Sequence, residues 1–108
     1  MVKPAKSPSP ELHEVLAALG DPVRLDIVRQ LAVRGEVACG GFNLDLAKST
    51  LSHHFKVLRE AGLVGARSEG TSLLNYLDRD GVDRQFPGLL DGVLGALGKP
   101  KRRRVQPS

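Results

Sequence analysis

Residues 49–64, read STLSHHFKVLREAGLV, constrain the fold of this 108-residue chain more than any other segment. Leu51, Phe55 and Leu58 recur at positions i, i+4 and i+7, which predicts an amphipathic helix with one face in a core. Gly62 is placed to end that helix in a left-handed turn. The sequence therefore predicts a helix capped by the first residue of the segment and followed by an apolar strand.

The opposite face of this helix must meet solvent or a ligand. It combines short hydroxyl side chains, an imidazole ring and a cation, all toward the N-terminal end: Ser49, Thr50, Ser52, His53 and Lys56. Helix-turn-helix proteins place the N-terminal end of such a helix in the major groove of DNA. The pattern is therefore typical of a DNA-recognition helix.

The distribution of charge supports the same interpretation. The net charge is +4, but seven of the sixteen lysines and arginines lie in residues 1–6 and 99–104. Residues 7–98 have a net charge of −3, whereas the stretch 48–67 within them has a net charge of +3. A DNA polyanion would be attracted to that stretch and repelled by the remaining surface.

Two helices are predicted before this segment. Apolar residues at helical spacing indicate a first helix at Leu12–Leu19, closed by Gly20. Asp21 followed by Pro22 is an N-cap and first-turn pair that starts a second helix, which runs to about residue 34. Residues 36–47 contain two adjacent glycines and predict a loop with at most a short helix, where a helix-turn-helix ordinarily has its supporting helix.

A β-hairpin is predicted after the segment 49–64. Residues 63–69 and 72–78 form two β-prone runs around Gly70 and Thr71, as in the wing of a winged helix. Arg67, Ser68 and Thr71 would lie near its tip, within reach of phosphate or the minor groove.

The C-terminal region is predicted to be helical, capped by Asp80 and interrupted at Pro87. Its apolar stripe consists of Leu89, Leu90, Val93, Leu94 and Leu97. We expect this stripe to pack against another apolar surface. A second copy of the chain would provide one, with the first and last helices packed around a two-fold axis. Residues 11–98 are expected to form the single folded domain, and residues 1–10 a disordered arm. Residues 99–108 are expected to be a basic disordered tail, which either binds DNA phosphates or is simply solvated.

Two motifs together resemble the ArsR/SmtB family of bacterial winged-helix repressors: LGDPVRLDIVRQL at 19–31 and STLSHHFKVLREAGLV at 49–64, followed by the predicted wing. The resemblance covers roughly residues 11–97. It implies a mostly α fold with a β-hairpin wing, a dimer through the first and last helices, and binding to operator DNA that ends when a metal or another signal arrives. With the positive stretch, it gives nine candidate DNA-binding residues: Lys48, Ser49, Thr50, Ser52, His53, His54, Lys56, Arg59 and Arg67.

The metal sites of the family do not transfer to this chain. Metal-sensing relatives have two cysteines before the recognition helix, but this chain reads EVACGGF there, with Ala38 and Gly40 at those positions and Cys39 one place away. Residues 80–98 contain no histidine, and aspartates alone are poor zinc ligands. We therefore expect no metal and no cofactor. Cys39 is interpreted as a small buried residue, with a redox switch as the alternative.

Two histidines remain ambiguous from the sequence. His54, at the edge between the exposed and apolar faces, has either a packed, hydrogen-bonded role or a phosphate contact. His13 is interpreted as a surface or dimer-interface residue, and a role as a metal ligand is the less favoured interpretation.

The sequence as a whole predicts a cytoplasmic, homodimeric repressor that binds double-stranded DNA at an inverted-repeat operator. No catalytic triad, paired carboxylates or phosphate-binding glycine loop is present, so we expect no enzyme activity. No apolar run is long enough to cross a membrane. The alternatives are a winged-helix module that binds a protein instead of DNA and a sensor with a non-standard metal or redox site. A small-molecule or redox inducer stays open.

Overall fold

The chain folds into five α-helices and three short strands within the part that the structure describes. This computed structural model describes residues 10–42 and 44–98, apart from the side chain of Cys39. The predicted arm, except Pro10, and the predicted basic tail lie outside the described residues, as does the proposed role of the Cys39 thiol. The elements are α1 (Leu12–Leu19), α2 (Pro22–Arg34), β1 (Val37–Ala38), a 3₁₀ turn (Cys39–Gly41), α3 (Lys48–Glu60), β2 (Val64–Glu69), β3 (Ser72–Leu77), α4 (Arg79–Gln85) and α5 (Leu89–Leu97).

The capping signals confirm the limits of α1 and α2. The Asp21 carboxylate accepts hydrogen bonds from the backbone N–H groups of Val23 at 2.9 Å and Arg24 at 3.1 Å. These bonds satisfy two of the N–H groups that the first turn of α2 leaves without helical partners. Gly35, with a φ of 90°, ends α2 in a backbone conformation that glycine adopts at low cost.

The segment after α2 contains a strand that the sequence did not predict. β1 pairs with β3, so the antiparallel sheet has the order β1-β3-β2 instead of being a two-stranded hairpin. Asn75 of β3 is fully buried, and its Nδ2 donates a hydrogen bond to the carbonyl oxygen of Val37 at 3.1 Å. A strand of two residues is too short to give an alternating pattern, and its pairing depends on this distant partner.

The predicted wing is confirmed as the hairpin β2–β3. Its register runs from Val64 opposite Leu77 to Glu69 opposite Ser72, with Gly70 at a φ of 62° in the turn. β2 begins one residue later than expected, because the backbone N–H of Leu63 donates to the carbonyl oxygen of Leu58 at 3.0 Å and so closes the end of α3.

The first of the two C-terminal helices, α4, differs from the prediction at its start. Asp78, not Asp80, is the N-cap of α4, because its Oδ1 accepts a hydrogen bond from the backbone N–H of Gly81 at 3.2 Å. Asp80 lies in the first turn instead. The predicted interruption is confirmed between α4 and α5, where Gly88 has a φ of 85°. Among the described residues, no helix has both the length and the apolar character needed to span a bilayer.

The core packs the apolar face of α3 against the other helices and the sheet. Two residues of the predicted stripe, Phe55 and Leu58, are 1% and 0% exposed, and the third, Leu51, is partly buried against the core. Phe55 and Leu58 lie in one cluster with buried residues of every other helix: Val15, Ala18, Leu19, Ile27, Val28, Leu31, Val82 and Leu90. The core therefore fixes which face of α3 points outward.

Candidate DNA-binding surface

The outward face of α3 consists of the residues that the sequence pattern selected. The side chains of Ser49, Thr50, Ser52, His53 and Lys56 are all exposed. At about 100° per residue they occupy the arc opposite Phe55 and Leu58. The structure thus brings these five candidates together on one side of the molecule.

The start of α3 differs from the prediction. The helix begins at Lys48 with Ala47 as its N-cap, and no side chain caps it. Ser49 was expected to be the cap, but it lies inside the first turn with an exposed side chain. Its hydroxyl is therefore not used to satisfy a helix N–H group, and the uncapped first turn presents N–H groups outward.

His54 lies at the edge of the face and packs against α2. Its side chain is 12% exposed, and its Nδ1 is 3.1 Å from Nη1 of Arg24 and 3.9 Å from the Asp21 carboxylate. A guanidinium can only donate, so Nδ1 accepts this hydrogen bond and the ring proton of neutral His54 is on Nε2. The tautomer is thus assigned from the hydrogen-bond network.

Two of the four candidate cations are paired with carboxylates. Nζ of Lys56 is 2.7 Å from the Glu60 carboxylate, one turn later on α3. Hydrogen bonding to Lys56 holds the pKa of Glu60 below its usual value. Lys48 and Arg59 have no ion pair within the described residues and are exposed. The positive charge available on α3 is therefore greatest at these two residues.

Arg67 is the other paired cation and lies on β2. Its Nε and Nη2 donate to the two carboxylate oxygens of Glu36 at 2.8 and 2.7 Å, and its Nη1 donates to Glu69 at 2.7 Å. These bonds lower the pKa of Glu36 and raise the pKa of Arg67. Arg67 was predicted as a phosphate contact, but in this structure two carboxylates occupy its donors.

Glu36 is the residue of this surface that sequence reasoning missed. It precedes β1, and Ala38 of β1 pairs with Leu74, which in turn pairs with Arg67. The approach of Glu36 to Arg67 thus depends on the third strand. A prediction of β1 would have been the only route to it from the sequence.

The histidine and acidic residues do not form a metal site. Within the described ranges, no group of three or more histidine, cysteine, aspartate or glutamate side chains is arranged to hold an ion. His13 lies on α1, 77% exposed, with its Nε2 3.3 Å from the Glu11 carboxylate. The ring centroids of His53 and His54 are 6.0 Å apart, and the two ring planes are inclined at 55° to each other. Adjacent histidines on this helix thus point in different directions, as the helical spacing predicts.

Comparison with known proteins agrees with this geometry. Residues 19–64 match a family model described as a helix-turn-helix domain. The chain is 40% identical over 81 residues to the uncharacterized HTH-type transcriptional regulator YceK of Bacillus subtilis, covering 72% of this chain and 81% of that protein. It is 31% identical to the arsenical resistance operon repressor of the same organism, covering 78% of each.

The fold is likewise shared with solved structures. The transcriptional repressor BigR from Xylella fastidiosa superposes with a TM-score of 0.61 at 28% identity, covering 80% of this chain and 81% of BigR. The residues matched by the family model include both α2 and α3. The protein therefore belongs to the ArsR/SmtB-like family of winged helix-turn-helix regulators and is a DNA-binding transcriptional regulator, not an enzyme.

Proposed function

We propose that this protein is a homodimeric repressor that inserts one copy of α3 per subunit into successive major grooves of an inverted-repeat operator. The observation that carries the proposal is the exposed arc of α3, where short donors and a ring project from a helix whose other face holds the buried residues Phe55 and Leu58. The repressor role is extended from BigR and the arsenical resistance repressor, which are named as repressors. We place its action in the cytoplasm, where chromosomal DNA lies.

The roles of the nine residues follow from their chemistry. Ser49, Thr50, Ser52 and His53 would contact base edges, since hydroxyl and imidazole groups can donate to and accept from bases in the major groove. Lys48, Lys56, Arg59 and Arg67 would neutralise phosphates. His54 would hold the helix against α2 and offer its Nε2 proton at the edge of the interface.

The dimer is proposed to form through α1 and α5. Leu12 and Leu16 of α1 are 47% and 48% exposed although they belong to an apolar helix. On α5, Val93 and Leu94 are only partly buried. Contact between two copies would remove these side chains from water, which stabilises an interface by about 25 cal/mol per Å² of apolar surface.

Selection of bound sequences from a random DNA pool tests the proposal directly. We expect an inverted repeat whose half-sites are separated by about one helical turn, bound by two chains. Sedimentation of the free protein should give the mass of a dimer. A set of selected sequences without two-fold symmetry, or equal affinity for every duplex, would contradict the proposal and favour the protein-binding alternative.

Two substitutions on α3 separate base reading from phosphate binding. His53→Ala should change the ranking of operator variants, because it removes a group placed for base contact. Lys56→Ala should weaken binding to all sequences and reduce the salt slope. Because Lys56 is paired with Glu60, its effect should be smaller than that of Lys48→Ala, which removes a cation without an ion pair in the described residues.

A further inference from the structure

A cavity of about 410 Å³ lies between the segment that precedes α3 and the first turns of that helix. Its size is within the range of about 300–1,000 Å³ that is usual for small-molecule sites. The chain from Leu44 to Ala47 forms neither a helix nor a strand, so no supporting helix lies beside the first turns of α3 at this place. None of the roles assigned above to α3 or the wing uses this cavity.

The walls of the cavity are mostly apolar. They include Phe42, Leu44, Leu46 and Leu51. Phe42 is 7% exposed and its ring centroid is 5.1 Å from that of Phe55, so one wall is continuous with the core. The three leucines are only partly buried. An apolar ligand would remove the rest of their surface from water.

Two polar side chains complete the lining and define the charge of a ligand. They are Lys48 and Ser52, an ammonium and a hydroxyl one helical turn apart on α3. No carboxylate lines the cavity among the described residues, and Lys48 has no ion pair there. The chemistry of the lining is thus complementary to an apolar molecule with one anionic group.

We propose that this cavity binds an apolar monocarboxylate, and that the bound carboxylate displaces DNA. Ser52 belongs both to the cavity and to the outward face of α3, and Lys48 is exposed in the first turn of the same helix. A carboxylate paired with Lys48 would remove that cation from the phosphates and place a negative charge at the N-terminal end of α3, where DNA is expected. The regulatory half of this inference rests on the proposed function, whereas the binding half does not.

Octanoate is a suitable probe, titrated into the full-length protein without DNA and followed by ¹H–¹⁵N NMR. We expect the amide shifts to concentrate at Gly40, Leu44, Leu46 and Leu51. The affinity for 1-octanol should be lower, because it has the same apolar chain but no charge. Lys48→Gln should weaken octanoate binding about 1.4- to fivefold, the range for one exposed ion pair, and leave 1-octanol binding unchanged.

Substitutions of the walls separate this cavity from other apolar surfaces. Gly40 lines the cavity and an added Cβ meets no atom there, so Gly40→Leu should take up part of the volume and weaken octanoate binding without a clash at the Cβ. Leu46→Ala should weaken binding, whereas the same change at Leu73, 50% exposed on the wing, should not. Shifts concentrated on α1 and α5, or equal affinities for octanoate and 1-octanol, would overturn the proposed site.

The competition with DNA is measured separately. With octanoate at ten times its dissociation constant, strict competition predicts that the apparent Kd for the selected operator rises at least about elevenfold. Gly40→Leu should bind the operator as the unmodified protein does and show a smaller rise at the same octanoate concentration. Operator binding without any octanoate binding would overturn this inference alone. Octanoate binding by a protein that binds no DNA would overturn the proposed function and, with it, the regulatory half.

Discussion

Replacing Glu36 by glutamine is expected to strengthen DNA binding, although it removes an ion pair. In the free protein the Arg67 guanidinium donates two hydrogen bonds to Glu36 and one to Glu69. Two carboxylates around one cation give this part of the wing a net negative charge. A phosphate that approaches Arg67 must displace Glu36 and is repelled by it until it does. Glu36→Gln removes the charge and weakens the competing hydrogen bonds while preserving the shape of the side chain.

The size of the effect follows from counterion release. Each additional phosphate that a protein neutralises on B-DNA steepens the dependence of log K on log[salt] by about 0.9. If Glu36→Gln releases Arg67 to make one such contact, and the contribution vanishes near 1 M salt, the gain in affinity is about eightfold at 0.1 M salt and about fourfold at 0.2 M. A steeper slope and a larger gain at low salt are therefore expected together.

Fluorescence anisotropy of a labelled operator, measured at several salt concentrations, provides the test. Asp83→Asn is the matched control, since it changes the net charge equally from an exposed position on α4. In the Arg67→Ala background, Glu36→Gln should no longer steepen the slope. An unchanged slope in the single variant, or the same increase in the Arg67→Ala background, would refute the argument that Glu36 competes with phosphate for Arg67.

The remaining predictions concern stability and are measured by urea unfolding. Asp21→Ala should cost about 1 kcal/mol at pH 7, because it removes the N-cap of α2. Burial raises the pKa of Asp21, but hydrogen bonds from the backbone of Arg24 and Val23 outweigh it and hold the pKa below its usual value. The stabilisation is therefore present above about pH 4 and is lost as the pH falls through the lowered pKa of the folded state. The difference in unfolding free energy between the protein and Asp21→Ala should shrink in acid. A difference that stays constant with pH would contradict this assignment. Gly65→Ala should cost about 1–3 kcal/mol, because its Cβ would lie 2.5 Å from the ring of Tyr76 on β3, and Tyr76→Ala in the same chain should relieve most of that cost.

Local signals in the sequence were sufficient for the helices and the wing. Asp21 and Pro22 fix the start of α2 through contacts within three residues, and Gly62 and Gly70 mark turns at a positive φ. The face of α3 followed from the spacing of Phe55 and Leu58. Each of these features is determined by residues close together in the chain, which is why periodicity and capping rules identify them.

Features that depend on distant residues were missed or misplaced. β1 forms only because β3, more than thirty residues later, offers a partner. The ion pair between Glu36 and Arg67 depends in turn on that strand. Asp78 caps α4 instead of Asp80 because it directly follows the end of β3 at Leu77. Charge counting correctly found the positive stretch 48–67 but could not show that Lys56 and Arg67 are paired within the fold.

The structure also replaces the support that a preceding helix would give to α3. Arg24 of α2 donates from Nε to the carbonyl oxygen of Ala18 in α1 at 2.6 Å, and its Nη1 is 3.1 Å from Nδ1 of His54 in α3. One guanidinium therefore links α1, α2 and α3 at the edge of the proposed DNA-binding face. Phe42, which precedes α3, also supports this helix through the contact of its ring with Phe55. Because α1 is one of the two helices proposed to form the dimer interface, the orientation of α3 relative to its copy in the partner subunit would depend on Arg24. In the proposed dimer, the spacing between the two copies of α3 would therefore depend on a contact within the first three helices instead of on a separate supporting helix.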